Sequence, residues 1–132
     1  MKTFAARLGN SLSSIAFSIG LVALGLTHAL PAHADAAAGK NDFNGCAACH
    51  SVNGLDGLGP HLNGVIGRKA ASVTGFNYSR AFKRANIVWD ANSLDSYIAN
   101  PQKVIPENHM PFSGLPDGTT RADLVEYLTT LH

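Results

Sequence analysis

Cys46, Ala47, Ala48, Cys49 and His50 contain the only two cysteines of the 132-residue chain, and an imidazole follows directly on the second thiol. Two thiols separated by two residues can both reach out from a single helical turn. Thiols so placed can add to the two vinyl groups of a haem ring and fix it by thioether bonds. The histidine next in line then stands over the iron, where a ring nitrogen can coordinate. Cys-x-x-Cys-His is for that reason the attachment signature of c-type haem.

Three other uses of the pair compete. A redox dithiol also has the form Cys-x-x-Cys but belongs beside a βαβ pattern, and the chain shows no strand pattern. A structural zinc site needs four ligands, with a second spaced pair, whereas His61, His109 and His132 are scattered. A disulfide across two residues would be strained and would leave His50 without a part. Covalent haem c, with its iron, uses all three side chains.

Haem iron has a second axial position. Left open, it gives ligand binding or oxygen chemistry; closed by a thioether, it gives electron transfer, because a neutral sulfur favours Fe(II) and raises the potential. Apart from Met1 the chain has one methionine, Met110, 60 residues beyond His50. A lone Met can be core filler. This one sits in a loop that lacks a hydrogen-bond ladder and needs an anchor, which a sulfur–iron bond would supply. His109 is the competing ligand, and two adjacent loop residues point in different directions, so only one can take the position.

The elements that must carry these groups are helical. Asp35 can cap a first helix running to about Cys46. Ser51 to Val65 is rich in glycine and reads as loop, and Gly67 to Asn86 holds short helical turns at best. Asn92 or Ser93 can cap a helix with Leu94, Tyr97 and Ile98 on one face, ending near Asn100 because Pro101 follows. Pro101, Pro106, Pro111 and Pro116 exclude regular structure up to Gly118, and a loop of that length is uncommon unless it has a task. Thr119 or Thr120 starts a last helix whose Leu124, Tyr127, Leu128 and Leu131 form one apolar stripe. The fold class is all-α.

The first residues read as an export signal. Lys2 and Arg7 make a basic start, Ile15 to Leu26 an apolar middle, and Ala32-His33-Ala34 a small-residue exit. An uncleaved anchor is the alternative, but the apolar run is short of the roughly 20 residues a membrane span needs. Residues 1–34 are thus expected to be removed, leaving a domain of residues 35–132 in the periplasm. Free thiols do not persist in that oxidising compartment. A chain of this size is marginal alone, and a large apolar prosthetic group would complete its core. Ten Lys and Arg face nine Asp and Glu in the whole chain; loss of Lys2 and Arg7 turns this to eight against nine. No basic stripe points to nucleic acid.

From about Gly39 to Leu131 the chain resembles class I c-type cytochromes, the family of mitochondrial cytochrome c and its bacterial relatives. The most specific run is Gly59-Pro60-His61-Leu62-Asn63-Gly64-Val65-Ile66-Gly67-Arg68-Lys69, followed by Gly75-Phe76-Asn77-Tyr78-Ser79, Ile87-Val88-Trp89, Tyr97, Asn100-Pro101, Ile105-Pro106, Met110-Pro111-Phe112-Ser113-Gly114-Leu115 and Arg121-Ala122-Asp123-Leu124. The resemblance implies the cytochrome c fold, a few short helices and long loops around one haem held by Cys46 and Cys49, with iron between His50 and Met110. It implies that the Pro60 carbonyl accepts from the His50 ring, that Arg68, Tyr78 and Trp89 hold the haem propionates, that Tyr97 orients the Met110 sulfur, that Phe112 packs near the exposed haem edge, and that Gly39 lets the first and last helices cross. Read singly, Trp89 and Tyr97 are ordinary core aromatics and Arg68 a surface charge.

The chain also departs from the pattern. Gly39 and Phe43 stand one residue closer to Cys46 than in mitochondrial forms, which leaves open which of them fills the helix crossing. Phe82 replaces a small polar residue, which implies a drier network around Tyr97 and Asn108. Gly45, Gln102 and His109 stand where lysines would ring the haem edge, and of those lysines only Lys103 remains. The function implied is a soluble, monomeric electron carrier of a respiratory chain, not an enzyme, meeting redox proteins that include membrane-bound complexes. The alternatives are a peroxidase-like or gas-binding protein with an open axial site, and a dedicated cytochrome subunit of one dehydrogenase or oxidase.

Overall fold

The computed structural model describes residues 33–132; the basic start, the apolar run and Ala32, on which the export reading rests, lie outside them. Five helices follow in order: α1 (Ala36–Asp42), α2 (Arg80–Arg84), α3 (Ala91–Ala99), α4 (Pro101–Val104) and α5 (Gly118–Thr129), with a 3₁₀ turn at Phe43–Gly45. Among the described residues the only β pairing is an isolated antiparallel bridge between Lys69 and Val88. The all-α expectation holds.

Local chemistry fixes the boundaries, and several differ from expectation. Asp35 does cap α1, its Oδ1 accepting from the amides of Ala37 and Ala38 at 2.8 and 3.4 Å. The helix does not run on as α-helix to Cys46 but tightens into the 3₁₀ turn, a common way to satisfy the last carbonyls. The cap of α3 is Asp90 rather than Asn92 or Ser93. Asp90 accepts from the Ser93 amide at 2.7 Å, and Ser93 Oγ accepts from the Asp90 amide at 2.8 Å, a reciprocal box. The α3 helix ends at Ala99 with Asn100 as its C-cap, as expected ahead of Pro101, but regular structure resumes at once: Pro101 opens α4, since a first helical position needs no N–H and the Asn100 side chain accepts from the Lys103 amide at 3.0 Å. The last helix begins at Gly118, a residue early, because Asp117 takes the Thr120 amide at 2.7 Å.

The core sits where α1, α3 and α5 meet. Leu94, Tyr97 and Ile98 of α3 are buried with Leu124, Val125 and Leu128 of α5. Gly39 is the crossing residue of α1: a Cβ added there would lie 1.9 Å from the Asp123 carbonyl oxygen of α5. Phe43 instead packs its ring on Tyr127, centroids 5.6 Å apart. The two positions left open by the sequence are thereby assigned.

Arg121 of α5 closes the proline-rich loop onto this core. Its Nε donates to Asp95 Oδ1 at 2.8 Å, and one Nη donates to the carbonyls of Leu115 and Pro116 at 2.9 and 2.8 Å. The Leu115 amide donates to Ile98 at 2.9 Å. The loop therefore starts and ends on α3 and its neighbours.

Replacing Gly39 by Val is expected to force the α1–α5 crossing apart and to cost about 3 kcal/mol, the upper part of the usual overpacking range. Gly45→Ala, at a site with nothing within 4 Å of the new Cβ, should shift the urea midpoint of the holoprotein by an amount equivalent to less than about 1 kcal/mol.

Candidate functional site

The attachment motif continues the chain out of the 3₁₀ turn as one more turn of helical type. The amides of Cys49 and His50 donate to the Cys46 carbonyl at 3.0 and 2.9 Å. Both sulfurs are unjoined and half-buried. Burial pushes the Cys46 thiol up, and nearby Cys49 adds to the rise.

The His50 ring is held by the loop that follows it. Its Nδ1 lies 2.7 Å from the Pro60 carbonyl oxygen. A carbonyl can only accept, so Nδ1 carries the proton and Nε2 keeps its lone pair, the arrangement that suits a metal-binding imidazole. Pro60 stays in place because the amide of Gly59 donates to Cys49 and that of Leu62 to Ser51, at 2.9 and 2.8 Å. Gly59 lies flat under the ring: a Cβ there would come within 2.3 Å of the imidazole.

Met110 is held through its backbone and its sulfur. Its amide donates to Asn108 Oδ1 at 3.0 Å, and Tyr97 Oη donates to its Sδ at 3.6 Å. Burial raises the Tyr97 phenol far above its usual range, so it stays a donor. One sulfur lone pair is thus engaged and the other is left. Asn108 is buried; its Nδ2 donates to Ile105 at 2.8 Å, and its carbonyl accepts from Gln102 Nε2 at 3.1 Å. Gln102 also accepts from the Glu107 amide at 3.1 Å, bracing a residue with φ of 63°. His109 lies exposed between these anchors.

Five aromatic side chains, apart from the Phe43–Tyr127 pair, form one chain of contacts. Trp89 and Tyr97 have centroids 5.2 Å apart, and Phe82 meets Tyr97 edge-on at 5.7 Å. Tyr78 lies 5.7 Å from Phe82, and Phe76 lies 4.7 Å from Tyr78. Phe82 therefore covers Tyr97 with hydrocarbon where a polar side chain could have brought water. Arg68 donates to the carbonyls of Asn63 and His61 at 3.1 and 2.7 Å, so its guanidinium also ties down the loop beyond Pro60. Burial lowers Arg68, and the neighbouring Tyr78 and Asp56 work in the opposite direction. Phe112 is half-buried, its amide donating to Met110 at 2.8 Å.

Sequence reasoning overlooked the brace formed by Gln102, Asn108 and Arg121. Gln102 drew notice only as an absent lysine. A polar side chain beside four prolines, whose loop has few backbone partners of its own, was the available signal.

These residues fit a haem. Leu62, Phe82, Ile87, Val104, Met110 and Phe112 pack against the core yet remain only partly buried, an apolar lining that a flat hydrophobic ring would cover. The imidazole presents Nε2, the thioether keeps a lone pair, and two thiols stand one turn apart. Among the described residues no three His, Cys, Asp or Glu side chains gather as a metal cluster.

Comparison with known proteins agrees. The family model "Cytochrome c" matches residues 36–132. The cytochrome c-type cyt cy of Rhodobacter capsulatus is 47% identical over 98 residues, 74% of this chain but 49% of that one, so the match spans about half of that relative's length. Cytochrome c2 of Rhodomicrobium vannielii is 40% identical over 121 residues, 89% of this chain and 97% of its own. Among solved structures, cytochrome cH from Methylobacterium extorquens is similar with a TM-score of 0.70 and 39% identity, covering 73% of this chain and 98% of that one. The chain belongs to the cytochrome c family, an electron carrier rather than an enzyme, with one haem c and its iron held covalently through Cys46 and Cys49.

Proposed function

We propose that the chain is a soluble, monomeric one-electron carrier of the periplasm, with His50 Nε2 and Met110 Sδ as the two axial ligands of its iron. The observation that carries this reading is the Tyr97 hydroxyl aimed at the Met110 sulfur. A buried phenol spends its only donor on a weak acceptor where that sulfur has to be held in one orientation. The exposure of His109 supports Met110 over its neighbour.

Bound haem supplies the Fe(III)/Fe(II) couple. The chain's own residues bind it, orient its ligands and exclude water. Pro60 fixes the His50 tautomer and makes the ring a stronger donor. Tyr97, Asn108 and Gln102 hold Met110, whose neutral thioether raises the potential. Arg68, Tyr78 and Trp89 are the propionate partners in this reading, and Phe112 lies near the haem edge. With both ligands fixed, little rearranges when an electron moves, and no substrate pocket is needed. An open, peroxidase-like site would require Met110 to swing away from Tyr97 and Asn108.

Export is supported by the position of the domain: the family match begins at residue 36 and α1 at Ala36, just past the expected cut after Ala34. The partners are redox proteins, and charge sets the kind of contact they make. The 22 residues from Cys46 to Gly67 carry one charged side chain, Asp56, and its Oδ1 is bonded to the amide and Nδ1 of His61 at 2.9 and 2.8 Å. The same stretch exposes Leu55 at 69% and Leu58 at 84%. Docking through this weakly charged, apolar loop replaces the cationic ring that the sequence lacks.

Met110→Ala is expected to lower the midpoint potential by on the order of 100 mV, well inside the ~0.8 V range that axial ligands command, and to let small ligands reach the iron. Voltammetry and azide or carbon monoxide difference spectra check this; an unchanged potential contradicts the ligand assignment. Electron self-exchange between ferric and ferrous copies, read from NMR line broadening, should vary less than about threefold across the ionic strengths that screen surface charge. Leu58→Lys should slow it at low salt and let it recover at high salt. Steep salt dependence in the unaltered protein contradicts neutral docking.

A further inference from the structure

Asp35 joins two independent observations. It follows Ala34, the end of the expected export signal, and its backbone nitrogen donates to Asp123 Oδ1 of α5 at 2.7 Å. In the uncut chain that nitrogen is a neutral amide with one hydrogen. Hydrolysis of the Ala34–Asp35 bond by a peptidase that cuts after small residues consumes one water. Ala34 leaves as a carboxylate, and the Asp35 nitrogen becomes an ammonium with three hydrogens.

We propose that removal of residues 1–34 installs an ion pair between the new α-ammonium of Asp35 and the Asp123 carboxylate, adding charge to the α1–α5 contact only in the processed protein. The proposal rests on the export reading above. The acceptor already stands at hydrogen-bond distance, so cleavage adds charge to an existing contact. Asp123 also supplies the carbonyl against which Gly39 crosses, so the pair sits beside the main helix contact.

The remaining charges leave this role to Asp123. The Asp35 carboxylate is committed to the amides of Ala37 and Ala38. Lys40 and Asp42 lie further along α1. On α5, Arg121 is held by Asp95, Asp117 caps the helix through Thr120, and Glu126 lies a helical turn beyond Asp123. His33, which with Ala34 lines a shallow hollow shared with Gly118, Thr119, Ala122 and Asp123, departs with the signal. A cation at the start of α1 opposes the helix dipole, a cost that the Asp123 carboxylate at hydrogen-bond distance offsets.

The sign of the pH effect follows. A partner anion holds the proton on the amine, so the added stability is complete below the unfolded amine's pKa of about 8 and is lost as pH rises through the folded value.

The test uses holoprotein from a host that exports it and attaches haem. Intact mass gives the first residue; urea unfolding from pH 6.5 to 10 then compares the mature protein with Asp123→Asn, each also made with Ala34 retained at the new N-terminus. Mass should place Asp35 first. Asp123→Asn should lower the folded-to-unfolded ratio about two- to fivefold at the acid end, the size of an exposed ion pair. That difference should shrink as the amine loses its proton. With Ala34 retained the ammonium is displaced, and the loss should be smaller and independent of pH. A different first residue overturns the cleavage point. Asp35 first, with an Asp123→Asn effect equal in both backgrounds and flat with pH, overturns the ion pair and leaves the export reading standing.

Discussion

The hydrogen bond between the His50 ring and the Pro60 carbonyl is the constraint on which the rest of the structure depends. It fixes which imidazole nitrogen is free, and it requires the chain after the attachment motif to turn back at once. The glycines, the Gly59 amide bonded to Cys49 and the Arg68 guanidinium bonded to the His61 and Asn63 carbonyls all serve that return. Gly59 is needed because the ring occupies the space any larger residue would fill. On the other side of the chain, Met110 depends on Tyr97 from α3 and on Asn108 and Gln102 from its own segment. The two anchored groups sit 60 residues apart in sequence, and the α1–α5–α3 core is what brings their loops into one domain.

A domain of this size buries too little of its own surface to be robust. Its helices are short, and those below about 12 residues have little stability by themselves. The half-buried apolar side chains packed against the core leave surface that a bound haem would cover. Haem would then complete the fold as well as the function, and covalent attachment through Cys46 and Cys49 would prevent its loss. The chain's near-neutral charge then matters for partners rather than for the fold. With one charge between Cys46 and Gly67, the loop beside the attachment motif presents apolar surface more than field, so on the docking proposed above charge would give little steering to encounter.

Much of this was legible in the sequence wherever the signal was local. Cys-x-x-Cys-His names its chemistry in five residues, Asp35 caps as written, and the stripe on α5 follows the helical period. Boundaries were less legible when a cap lay one residue outside the apolar pattern, as Asp90 and Asp117 do, or when Pro101, after marking the end of α3, also began a new helix. The helix crossing could not be read, because Gly39 and Phe43 are equally plausible until the Asp123 backbone is seen against one of them. Least legible was the brace around Met110. Gln102, Asn108 and Arg121 act through bonds to backbone carbonyls, and no spacing rule announces which carbonyl a loop will present.

The central claim is that Met110 occupies the position opposite His50 on a covalently bound haem. The most direct measurement is the proton NMR spectrum of the ferrous holoprotein. A methyl group seated over the iron lies in the shielding cone of the porphyrin, so the Met110 methyl should resonate far upfield of all other methyl signals. A Met110 methyl at the ordinary position for a side chain packed in protein would contradict the account.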